Sequence, residues 1–324
     1  MLPHASTPDL HGYESAVRRA KAAGNRSVTL QFARGGVAAA RKADNERALW
    51  QFTFEVADAH LAMDAYAELR EVADGMLSLP AARQDAVLQV RSLILRSIAE
   101  RCLGQESVAI ATADEALALT GALPGHDALR AEVLQTLIAG LVEADRAHEA
   151  WRHHMDLACL LESMDNQSAG KGFWTLGNVA FMVGSAQDGL SYHAQAAELL
   201  SPANDIPLWA RFNKASADLQ LRAGIAIEQT RDCIERASLA HEVMDATEVD
   251  RVGLAVTNAR WNVARERPEE ADRILADALS GLADPNAAHL VPAYHLWAEV
   301  LDTVRPDDAP AKRATANRIQ RLTG

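Results

Sequence analysis

The chain has 324 residues, of which 49% are hydrophobic and 23% charged, so there is apolar material enough for a core. Its formal net charge is −12, with 32 Lys and Arg against 44 Asp and Glu, which argues against direct binding of nucleic acid, where a concentrated cationic surface is needed. No apolar run of about 18 residues predicts a membrane span, the start "MLPHASTPDLHGYE" is no signal sequence, and Cys102, Cys159 and Cys233 form no CxxC pair, so free thiols and a cytoplasmic location are expected.

Ala and Leu dominate, which favours helix, and runs of Val, Ile and Thr with period-two alternation are missing, so no sheet is expected. In chain order, helix-breaking turns are predicted at Gly24 in "KAAGNRS", at Asp64 in "HLAMDAYAELREVADGM" and at Gly104 in "AERCLGQESVAIATADEAL". The next falls in "EADRAHEAW", about one residue late. Gly184, Gly224 in "LQLRAGIAIEQ" and "ARERPEEADRIL" near 265 follow, with Pro268 suited to a helix start. The turns recur about every 40 residues. Between them lie longer breaks: "LSLPAARQD", "GALPGHD", "DNQSAGKG", "SPANDIP", "MDATEVD" and "ADPNAAH". The last helix pair is placed at 287–304 and 308–322. Two-helix units cannot bury their apolar faces alone, and stacking does it for them. The expectation is an all-α chain of about eight helix–turn–helix units, forming a single domain over residues 1–324.

One copy carries a family pattern. In "GFWTLGNVAFMVGSAQDGLSYHAQAAELLSP", Phe173, Leu176, Gly177, Ala180, Gly184, Gly189, Ala196 and Pro202 follow aromatic-x2-Leu-Gly, a middle small residue and a late Pro. This resembles the tetratricopeptide repeat, and the resemblance implies a right-handed α-solenoid that binds a protein or peptide in its concave groove. Ala57, Ser97 and Ala217 stand where Gly177 does, and Ala109, Ala150 and Ala271 follow their turns at matching offsets. The period exceeds the 34 residues typical of the family and looks like the long repeats of MalT-like domains and of the RRNPP peptide receptors. HEAT and armadillo repeats have similar lengths and compete for the family label.

In this superfamily the first helix of each pair lines the groove. Taking i, i+3, i+7 and i+10 on each first helix selects Lys171, Trp174, Asn178 and Phe181 on the best copy, and Arg211, Lys214, Asp218 and Leu221 one period on. Earlier copies supply Arg91, Ile94, Ile98 and Arg101; Gln51, Phe54, Asp58 and Leu61; and His11, Glu14, Arg18 and Lys21. Two copies slip and offer Gln135 and either Arg260 or Asn258. The stripe is richer in Lys and Arg than in Asp and Glu, the reverse of the whole chain. It predicts a groove for an anionic or carboxylate-ended peptide. There Arg18, Arg91, Arg101, Lys171, Arg211 and Lys214 bring charge, Trp174 and Phe181 bring anchorage, and Asn178 pairs with peptide backbone, as the family resemblance implies. Asp218 completes the set.

Local catalytic and metal signatures fail on spacing. In "HEAWRHH" the position four after His148 is Arg152, so the HExxH zinc pattern is broken. In "SAGKGFW" a P-loop would need Gly where Asp165 stands and Ser or Thr where Gly172 stands. "ARGGVAAAR" is no dinucleotide fingerprint, and Gly35 and Gly36 read as close helix packing. "RPEEADR" reads as a solvated acidic first turn. The expected function is a non-enzymatic binding scaffold without metal or cofactor. The alternative is a peptide-sensing regulator of RRNPP type that lacks the DNA-binding domain, since the repeats start near the N-terminus. The pattern leaves room for a homodimer.

Overall fold

In the computed structural model, which describes residues 10–323, eighteen α-helices and two short 3-10 turns account for the regular structure, with no strand among the described residues. They fall into two compact units, residues 1–164 and 165–324. The first holds α1 (Leu10–Ala22), α2 (Arg26–Lys42), α3 (Glu46–Ala62), α4 (Tyr66–Ser78), the short α5 (Pro80–Gln84), α6 (Ala86–Cys102), α7 (Glu106–Thr120), α8 (Asp127–Glu143), α9 (Ala147–Trp151) and α10 (His154–Leu161). The second holds α11 (Asn166–Met182), α12 (Ala186–Leu199), α13 (Ile206–Arg222), α14 (Glu228–Val243), α15 (Glu248–Ala264), α16 (Pro268–Ala278), α17 (Val291–Val304) and α18 (Ala309–Thr323).

Each unit is a stack of four antiparallel hairpins. The first helices are α1, α3, α6 and α8 in one unit and α11, α13, α15 and α17 in the other. Six of them, α3, α6, α8, α11, α13 and α15, are all 17 residues long. Each unit is therefore an all-α solenoid of helix–turn–helix repeats.

One turn type closes seven of the hairpins. A residue with φ between 55° and 81° sits two places beyond the first helix: Gly24, Asp64, Gly104, Asp145, Gly184, Gly224 and Glu266. At Gly184 its N–H donates to the Phe181 carbonyl (3.1 Å) and the next N–H, of Ser185, reaches back to the Ala180 carbonyl (2.8 Å). The same pair of bonds recurs at the other six, the Schellman arrangement that uses up carbonyls left over at a helix end. The turn predicted near 144 is thus Asp145, and the one near 265 is Glu266. A further copy at Asp44 (φ 50°) joins α2 to α3, where the sequence pattern had marked no break. Its side chain and the Asn45 cap carry the stop signal without Gly or Pro.

Five of the first helices start with a polar cap. Asn45, Asp85, Asp165, Asp205 and Thr247 each accept a backbone N–H of the helix that follows. The "HEAWRHH" segment is not one continuous helix: it breaks at Arg152 and His153, where the Trp151 and His154 rings stack at 4.0 Å.

The repeated small positions are the contact line of each hairpin. Ala57, Ala217 and Ser97 are at most 1% exposed, and the Ser97 hydroxyl donates to the Ala109 carbonyl of the partner helix (2.8 Å). A Cβ on Gly36 would lie 2.3 Å from the Phe52 ring, and one on Gly177 would lie 2.1 Å from the His193 ring. The glycines of "ARGGV" therefore act in packing, as their context predicts.

Candidate functional site

In the N-terminal unit, the first helices α1, α3 and α6 enclose an open groove of about 750 Å³. Its walls include Glu14, Arg18 and Lys21 from α1, Gln51 and Phe54 from α3, and Arg91 from α6. These six are stripe positions, spaced by the three- and four-residue steps that put side chains on one helix face. Val17, Trp50, Val87 and Leu88 form the floor. The Trp50 indole N–H donates to the Ser92 hydroxyl (3.2 Å), and its ring stacks on Phe54 with centroids 5.3 Å apart. The stack leaves Phe54 half-buried, an apolar face open to the groove.

The charges on the rim are not equivalent. Lys21 is held by Glu55 (2.9 Å) and Asp58 (2.8 Å), so α3 neutralises it. Arg18, Arg47 and Arg91 are exposed and form no ion pair or hydrogen bond among the described residues. Arg91 is close enough to Glu132 of α8 to oppose the upward shift that desolvation gives that carboxyl. Arg47 was not among the sequence candidates. It stands one helical turn before Gln51, on the same face, and extending the stripe by four residues would have found it. Arg101, the third candidate in this unit, is ion-paired with Glu143 across α6 and α8 and does not line the groove.

The other seven candidates lie in the C-terminal unit on α11 and α13. Lys171 and Arg211 are exposed. Trp174 is half-buried, packed edge-on against Phe212 (5.9 Å), and its indole N–H has no hydrogen-bond partner among the described residues. Lys214 lies over α15, its ammonium 3.7 Å from where a Cβ on Gly253 would be. Asp218 is 14% exposed and pairs with Arg222 (2.8 Å) and Arg260 (3.6 Å). Of the two slipped candidates, Arg260 thus joins the stripe, whereas Asn258 lines a separate trough between α14 and α15 with Trp261. Phe181 turns into its own hairpin, filling the space a Gly189 side chain would take and lying 5.3 Å from the His193 ring.

Asn178 is engaged from below. Its Oδ1 is 3.1 Å from Nε2 of His193, whose Nδ1 is 2.9 Å from the Ser216 hydroxyl. Ser216 in turn accepts from Gln220, and Gln220 accepts from Thr230 (2.6 Å). A hydroxyl, an imidazole and an amide in line have the outline of a nucleophile with its base and orienting group. Here His193 and Ser216 are both 1% exposed, so no substrate reaches them. Burial depresses the His193 pKa to about 4, so the ring is neutral at physiological pH. The chain of hydrogen bonds is a lock across α11, α12, α13 and α14 that turns the Asn178 oxygen inward.

No helix among the described residues is long and apolar enough to cross a membrane. No protein-family model matches the sequence, and no curated protein matches it. Solved structures do. A tetratricopeptide repeat protein from Parabacteroides merdae is 12% identical, with 95% of this chain and 98% of that one covered and a TM-score of 0.49. Aspartyl phosphate phosphatase F from Bacillus subtilis is 10% identical, with 96% of this chain and 74% of that one covered and a TM-score of 0.57. With the seven recurring turns and the small-residue contact line already in place, the chain has the fold of a tetratricopeptide-like repeat protein.

Proposed function

We propose that the chain is a binding scaffold whose first-helix groove in the N-terminal unit captures a segment of a partner protein that carries carboxylates. The observation that carries this reading is the set of three exposed arginines, Arg18, Arg47 and Arg91, on three successive first helices around an apolar floor. Ion pairs among the described residues engage only ten Lys and Arg, so what distinguishes these three is their convergence on one groove. Guanidinium groups grip carboxylates bidentately, and Phe54 offers an apolar anchor point beside them. The exposed Lys171 and Arg211 extend the same preference to the C-terminal unit. The test uses 12-residue peptide mixtures of graded charge and follows binding by fluorescence anisotropy. Acidic mixtures bind the parent chain, weaken as salt rises, and lose at least about tenfold in affinity with Arg18→Glu plus Arg91→Glu. Equal binding of basic and acidic mixtures, or no loss in the double variant, rules the reading out.

A second reading comes from the likeness to the Bacillus subtilis aspartyl phosphate phosphatase: the chain is a peptide-sensing regulator that acts on another protein. It requires that adding the chain changes the lifetime of an aspartyl phosphate on a partner protein, and that peptide bound in the groove alters that effect. An unchanged lifetime leaves the scaffold reading alone.

A further inference from the structure

The face of α3 opposite the groove carries a second feature. Residues 47, 51 and 54 of α3 face the groove, whereas Leu49, Thr53 and Val56, about half a helical turn away, form the floor of a slot between α2 and α4. The slot has a volume of about 290 Å³ and is walled by Val37 on α2 and by Val72, Gly75 and Leu79 on and just beyond α4. The floor makes no polar demand, because the Thr53 hydroxyl already donates to the Leu49 carbonyl (2.7 Å). Two exposed arginines of α2, Arg34 and Arg41, stand on the rim and form no ion pair or hydrogen bond among the described residues.

Gly75 explains why the slot is open. It lies inside α4, where glycine costs about 1 kcal/mol relative to alanine. At Gly36 and Gly177 such a glycine is required by contact, but a Cβ on Gly75 would meet nothing within 4 Å. No packing and no left-handed backbone calls for a missing side chain there. What its absence does is leave the slot unfilled.

We propose that this slot is a docking site for an amphipathic helix of a partner protein, one that seats a large apolar side chain between α2 and α4 and sets two carboxylates, two turns apart, on Arg34 and Arg41. The spacing carries the match: seven residues on α2 rise about 10.5 Å, which an i, i+7 pair on a second helix reproduces, with its apolar anchor at i+3 or i+4. The volume sits at the lower edge of the roughly 300–1,000 Å³ of small-molecule sites, so it suits one or two side chains of a larger partner. A helix satisfies its own backbone polar groups, whereas an extended segment over this apolar floor would leave its backbone groups unpaired. The slot is independent of the groove, and either can fail without the other.

The test is selection of displayed helical peptides on the full chain, with counter-selection on Gly75→Leu. That variant fills the slot from an open position and keeps the helical circular dichroism of the parent. The surviving peptides carry a large apolar residue with Asp or Glu at i and i+7 around it. Their affinity falls about tenfold or more in Gly75→Leu and in Arg34→Glu plus Arg41→Glu, and is unchanged in Arg18→Glu plus Arg91→Glu. Survivors that are basic, that contain proline in the contact stretch, or that bind Gly75→Leu as well as the parent overturn the proposal. So does a dimer of the parent chain that Gly75→Leu dissociates, since the slot would then belong to a second copy.

Discussion

The same exchange, glycine to alanine within a helix, is expected to have opposite signs at two positions of this chain. At Gly177 the new methyl group would lie 2.1 Å from Cδ2 and 2.6 Å from Nε2 of His193. The imidazole cannot step aside. It is 1% exposed, lies 5.3 Å from the Phe181 ring and 5.9 Å from the Phe212 ring, and is hydrogen-bonded to Ser216 and Asn178. Overpacking of this kind costs about 1–3 kcal/mol, and each hydrogen bond lost with the displaced ring adds about 1 kcal/mol. Against this stands the gain of about 1 kcal/mol from removing a glycine inside a helix. Gly177→Ala should therefore destabilise by about 2–4 kcal/mol, while Gly75→Ala, with nothing in reach, should stabilise by up to about 1 kcal/mol. Urea unfolding followed by circular dichroism measures both against the parent. The double variant Gly177→Ala, His193→Ala should cost less than the sum of its two parts, because the alanine needs the room that the ring vacates. If Gly177→Ala is neutral or stabilising, α11 and α12 do not approach this closely at Gly177 and His193.

Three further outcomes follow from the same geometry. His193 is held neutral with a pKa of about 4, below the 6.5 of an unfolded histidine, so the unfolded state takes up the proton first as pH falls. Stability is then full above about pH 6.5 and declines towards pH 4, by up to about 3 kcal/mol, and a pH series of urea midpoints in which His193→Gln shows the same slope as the parent would contradict this. Glu266 holds φ 58°, a conformation that costs a non-glycine residue about 1 kcal/mol, so Glu266→Gly should raise the melting temperature and Gly184→Ala, at φ 81°, should lower it. Replacing the Asp205 cap, which accepts the Leu208 N–H at 2.8 Å, by alanine should cost about 1 kcal/mol in urea unfolding.

The repeat was legible because its punctuation is chemical. Gly24, Gly104, Gly184 and Gly224 stand where the backbone must turn left-handed, and the caps Asp85, Asp165, Asp205 and Thr247 announce the next helix. Asp44 escaped notice because an aspartate can take the same conformation without advertising it. Which residues share a helix face was also legible, and Arg18, Gln51, Phe54 and Arg91 do line one groove. Charge balance was not. Lys21 and Arg101 look free in a stripe of cations, yet Glu55, Asp58 and Glu143 meet them from neighbouring helices. Such partners lie 34 to 42 residues away in the chain, and no local pattern pairs them. The Asn178–His193–Ser216 lock was hidden for the same reason, since His193 on α12 looks like any helical histidine until α11 and α13 close around it.

The groove can be tested from its α3 wall. Gln51 is exposed between Arg18 and Arg91, and a photo-reactive benzoyl-phenylalanine placed there will react with whatever occupies the groove in an extract of the source cells. The cross-linked segment, read by mass spectrometry, should be rich in Asp and Glu around an apolar residue, and the product should vanish when Arg18 and Arg91 are changed to Glu. A basic segment at residue 51, or an acidic one that persists without the two arginines, would contradict the account.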